Sequence, residues 1–145
     1  MKQHRIAAVL VAALIGAFYW WVSVHFWGMH AADTPFPKWL HAVLPPREHR
    51  ALDTAVIYSH DAILNVLLAV PFASMFVLFT RLNNWLCIAA AVVVANIAIY
   101  WGAEWGGDPP LIKFWSFWVG AGMSILSLPA AFLIVRAIPG RRLSD

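Results

Sequence analysis

Charge is scarce in this chain. Asp and Glu number 7 and Lys and Arg 10 among 145 residues, so 12% of the side chains are charged. Soluble domains carry about 25%. With 62% hydrophobic residues, a domain of this length could not hide its apolar surface from water, and the expected solvent is lipid. Cysteine is scarcer still. The single Cys87 excludes an internal disulfide and a Cys-only metal site. Its place in an apolar run predicts a packed, inert thiol. Also missing are a Gly-x-Ser-x-Gly elbow, a Cys/His pair of known pattern and a phosphate-binding glycine loop. Catalysis is therefore the less expected role. The net charge of +3 sits in short segments flanking apolar runs. That pattern sets membrane topology, and no nucleic-acid partner is expected.

What the chain has in quantity is apolar sequence in long runs. These predict an all-α integral membrane protein, one domain over residues 1–145, with four transmembrane helices in an up-down bundle. The expected spans are 6–27, 55–79, 85–104 and 112–136. Ile6 to Trp27 is uncharged and longer than a signal-peptide core. Met29 and His30 occupy the −3 positions before Ala31 and Ala32, so a retained span is expected rather than a cleaved leader. Small residues four apart in this span (Ala12 and Gly16, Ala13 and Ala17) permit close helix contact, as do Ser116, Gly120 and Ser124 in the last span. The polar segment 28–54 is expected to be an outer loop. It holds a short interfacial helix from Pro37, with Trp39, Leu40, Val43 and Leu44 toward lipid. Asp53 or Thr54 is the expected N-cap of the second span, and Pro71 falls inside that span.

Lys2, Arg5, Arg81, Arg136, Arg141 and Arg142 share one side. Lys38, Arg47, Arg50 and Lys113 share the other, among Asp33, Glu48, Asp53, Glu104 and Asp108. The positive-inside rule then places both termini and the Thr80–Asn84 turn in the cytoplasm, with residues 28–54 and 105–113 on the periplasmic side of a cell inner membrane. Of the nine Trp residues, only Trp85 lies at the inner end. This asymmetry predicts a broad outer contact surface.

The second and third spans carry a polar seam. Asp61 and Asn65 are four apart, as are Asn96, Tyr100 and Glu104, so each set forms one stripe. A tight antiparallel hairpin through the Thr80–Asn84 turn would set Asp61 level with Glu104 and Asn65 level with Tyr100, to within about a turn. A facing carboxylate pair can share a proton or hold a cation. The plainer reading is that Asp61 and Glu104 mark where helices leave the lipid, and that Asn65 and Asn96 make interhelical hydrogen bonds. His25 and His60 also fall near the outer boundary, where paired imidazoles could ligate a haem. No metal is assigned.

Two small four-helix families are excluded on residues. Disulfide-generating quinone reductases need paired cysteines. Small multidrug exporters carry a carboxylate in the first span, and Ile6–Trp27 has none. The first functional expectation is a non-catalytic accessory or interaction subunit of an envelope complex, with the bilayer and either a protein partner or a second copy as its partners and no cofactor. The second is a proton- or cation-coupled carrier using Asp61 and Glu104. The third is a membrane redox protein with haem or quinone at His25 and His60.

Overall fold

A computed structural model describes residues 2–32, 35–43, 46–79, 81–105 and 114–138, and side chains for 4–29, 38–40, 42–43, 51–79, 81–98, 101 and 114–138. The described chain is all helical: α1 (Lys2–Ala32), α2 (Pro35–Val43), α3 (Pro46–Leu78), α4 (Trp85–Trp105) and α5 (Trp115–Ala137). Three stretches, His4–Met29, Ala51–Leu78 and Trp115–Ala137, are long and apolar enough to cross a membrane. The described apolar part of α4, Trp85–Ala98, is shorter. Large apolar side chains such as Leu14, Leu86 and Leu126 stand exposed on the outside, as they do when the surroundings are lipid.

The polar segment is more helical than the sequence suggests. α1 continues to Ala32, α2 occupies Pro35–Val43, and α3 starts at Pro46 rather than at Asp53 or Thr54. Pro46 suits a first helical turn, where its missing N–H is no loss, and no helix breaker follows before Pro71. Asp53 therefore lies within α3, buried, instead of capping it. In α2, Trp39 and Val43 are exposed, but Leu40 turns inward and is buried as α2 packs on α3.

Helix pairing departs from chain order. α1 packs along α4 and α3 along α5, with sparser α4–α5 and α1–α3 contacts. The helices thus form a ring in the order α1, α4, α5, α3, and the consecutive helices α3 and α4 lie across it. This corrects the expectation of a tight α3–α4 hairpin. The side-chain contacts give the directions. Trp27 meets Asn65, and Tyr19 meets Phe72 at 5.2 Å, so α1 and α3 are antiparallel. Trp85 meets Phe132 at 5.3 Å, so α4 and α5 are antiparallel. Tyr58 and Trp115, at 5.7 Å, join the early part of α3 to the start of α5. Along α1, Ala8 shares a cleft with Cys87, Gly16 abuts Ala91, and Trp20 lies with Val94 and Ala98. The two close pairs, α1–α4 and α3–α5, are therefore both parallel.

Small residues explain the choice of partner. Ala12 and Gly16 of α1 are buried, as are Ala91 and Ala95 of α4. A row of small residues on each helix lets two backbones approach, which in lipid strengthens packing where no hydrophobic drive exists. The turn is also firmly set. Leu82 is buried, its N–H and that of Asn83 both donate to the Phe79 carbonyl (2.8 and 3.1 Å), and Asn84 Oδ1 accepts from Cys87 N at 2.9 Å as an N-cap. Cys87 itself is buried and free.

One buried polar link crosses the bundle. Ser127 Oγ donates to the Ser124 carbonyl at 2.8 Å, which leaves the Tyr19 hydroxyl to donate to Ser127 Oγ at 2.6 Å. Tyr19→Phe is expected to lower stability in detergent by about 0.6 kcal/mol, the average for hydrogen bonds between membrane helices, and by no more than about 1.7. A further Ser127→Ala change should add little, because the shared bond is already gone. Additive losses in this double-mutant cycle would show that the link contributes nothing.

Candidate functional site

At the end of the bundle where α1 finishes and α5 begins, three helices enclose a half-open cleft of about 400 Å³. Each wall is one face of one helix. α3 contributes Tyr58, Asp61 and Asn65, spaced by three and four; α5 contributes Ser116, Gly120 and Ser124, spaced by four; and α1 contributes Trp20, Ser23 and Trp27. The row Ser116–Gly120–Ser124 is thus not a close-packing face. A methyl group added at Gly120 would meet nothing within 4 Å.

Asn65 organises the polar wall. Its Oδ1 accepts from Trp27 Nε1 at 3.1 Å, and its Nδ2 donates to the Asp61 carbonyl at 3.0 Å. Asn65 is buried, and both ends of its amide are used, so it ties α1 to α3. Asp61 Oδ1 lies 3.1 Å from His60 Nδ1, and both side chains are about a quarter exposed, at 27% and 25%. Beside this satisfied set is an unsatisfied group. Trp20 Nε1 is buried and makes no hydrogen bond. A polar atom left unpaired away from water costs about 1–3 kcal/mol, so a turn of the Trp20 indole toward an occupant that accepts a hydrogen bond is favoured.

The candidates named from sequence separate. Asp61 and Asn65 share the cleft. Asn96 lies on α4, where its Nδ2 donates to the Val92 carbonyl at 2.7 Å and its Oδ1 is buried without a partner. The side chains of Tyr100 and Glu104 lie outside the described residues, and their helix stands across the ring from α3. His25 is exposed, lies tilted against the Trp21 ring at 4.3 Å, and donates from Nδ1 to the Trp21 carbonyl at 2.8 Å. On the register set by Trp27–Asn65 and Tyr19–Phe72, His25 comes level with Leu67, about 10 Å along the axis from His60. Paired axial imidazoles must approach one iron at one level, which this register does not provide. Among the described residues no three His, Cys, Asp or Glu side chains gather as a metal site.

Ser23, Tyr58 and the inward use of Trp20 and Trp27 are absent from the sequence reading. Ser23 was legible as the lone serine in its apolar run, one turn before Trp27. The tryptophans resembled interface anchors, and only the α1–α3 register turns them inward.

No protein-family model matches the chain, and no curated protein or solved structure is significantly similar to it.

Proposed function

We propose that this protein is a non-catalytic interaction subunit of a bacterial inner-membrane complex, and that the α1–α3–α5 cleft receives a partner's transmembrane segment. In this reading α1, α3, α4 and α5 are four spans, both termini are cytoplasmic, and residues 28–54 and 105–113 are periplasmic. α4 has 21 residues, which as a helix reach about 30 Å, the thickness of a hydrocarbon core. The observation that carries the docking role is the half-open three-helix cleft itself, polar at Asp61 and Asn65 and lined by Trp20, whose Nε1 has no partner. A partner helix with one hydrogen-bond acceptor would satisfy it once the indole turns toward it.

The test is photocrosslinking in native membranes. A photoreactive residue at Ser116 should capture a defined partner, and one at the exposed Leu126 should not. Equal capture at both positions, or none at Ser116, would sink the docking role. A reporter fused at the C-terminus tests the topology separately, and a periplasmic signal there would overturn it.

One observation favours a carrier as the second reading. Asp61 shares the cleft with Trp27, Tyr58 and Phe117, and a cation gains from ring faces as well as from a carboxylate. In that case tetraethylammonium should quench tryptophan fluorescence saturably, and Asp61→Asn should abolish the response.

A further inference from the structure

The opposite end of the bundle holds a second cleft of different chemistry. α1 and α4 begin side by side there and enclose about 470 Å³. Its polar lining is mostly basic: His4 and Arg5 of α1 and Arg81 of the α3–α4 turn, with the neutral Asn84 beside them. Its apolar lining is Ala8, Val9 and Leu86. Among the described residues no carboxylate pairs with His4, Arg5 or Arg81. Arg5 and Arg81 are far apart in sequence, and they converge because α1 and α4 run parallel.

We propose that this cleft binds the phosphodiester headgroup of an anionic phospholipid. Two guanidinium groups with free donors match phosphate oxygens in fork geometry. The adjoining Ala8, Val9 and Leu86 offer the acyl chain an apolar wall, the arrangement by which basic pockets between membrane helices hold lipid heads. Position along the membrane normal agrees. From Arg5 to Trp27 the α1 axis runs about 33 Å, close to the roughly 30 Å of a hydrocarbon core. The basic cleft therefore sits at headgroup level of one leaflet when the polar cleft lies near the other. The site is independent of the docking role, and either can fail without the other.

The experiment uses the full chain purified in detergent and stripped of lipid. Dioleoylphosphatidylglycerol, dioleoylphosphatidylcholine and inorganic phosphate are each titrated, with native mass spectrometry and the thermal midpoint as readouts. Phosphatidylglycerol should bind saturably and raise the midpoint, and phosphatidylcholine should do neither. Arg5→Gln with Arg81→Gln should weaken phosphatidylglycerol binding at least tenfold while leaving the lipid-free midpoint unchanged, since both side chains are exposed. Arg136→Gln is the control. That arginine lies over Phe132 near the same end of the bundle, but outside the cleft, so its loss should leave binding intact. An equal loss with Arg136→Gln, or equal binding of phosphatidylcholine, overturns the proposal in favour of unspecific attraction. Inorganic phosphate competing as well as the lipid overturns the lipid assignment and makes the cleft a free-anion site.

Discussion

Gly16→Leu is expected to open the bundle along its tightest seam. A methyl group built on Gly16 would stand 2.7 Å from Ala91 Cα and 2.8 Å from its carbonyl carbon, and nearer still to the carbonyl oxygen. These are backbone atoms of a helix, so no rotamer change relieves the overlap. α1 and α4 must move apart along the whole contact, and the packing of Ala12, Ile88 and Ala95 loosens with them. Overpacking in a rigid core costs about 1–3 kcal/mol, and leucine should reach or exceed the upper figure. Gly16→Ala should fall between leucine and wild type. The measurement is unfolding in detergent, with Gly28→Leu as control, because an added methyl at Gly28 meets nothing within 4 Å. A Gly16→Leu protein as stable as wild type would show that α1 and α4 are not in this contact.

Gly120→Leu should do the reverse: leave the fold intact and remove the function. Its added side chain enters the cleft rather than a packed seam. Replacing a helical glycine also favours the helix by up to about 1 kcal/mol, so the unfolding midpoint should hold or rise. Partner capture from Ser116 should fall at least tenfold, because leucine fills space the partner needs and offers Trp20 Nε1 no acceptor. If capture persists at wild-type level, the partner binds elsewhere on the bundle.

Helix content and the apolar stretches could be read from the residues, because lipid forces every backbone group into internal hydrogen bonds and leaves long uninterrupted runs as the signature. The small pair Ala12 and Gly16 was readable as a contact face for the same reason. Which helix it contacts was not. A short turn between α3 and α4 argues for neighbours, but a turn constrains only the ends of two helices, whereas Gly16 against Ala91 constrains their whole length. That choice of partner decides the site. Once α4 pairs with α1, Asp61 and Asn65 face Trp27 and the serine row of α5. Ser116, Gly120 and Ser124 illustrate the limit directly. Small residues spaced by four allow close packing and also make a cleft wall, and only the position of the neighbouring helix distinguishes the two.

The parallel pairing has a consequence for how the chain is made. A helix entering the membrane from the ribosome can pack only on what is already there. When α3 follows α1, neither finds its main partner: the small-residue face of α1 waits for α4, and the long contact face of α3 waits for α5. Antiparallel neighbours could close two by two as they emerge, but here each pair is interleaved with the other in time. The bundle should therefore remain loose through most of synthesis and consolidate late, after α5 is inserted. Until α4 is made, α1 and α3 are held chiefly by their sparse mutual contact around Tyr19, Phe72, Trp27 and Asn65. Intermediates of this kind expose faces meant for later partners, and a chain arrested after α3 should be a ready substrate for membrane quality control.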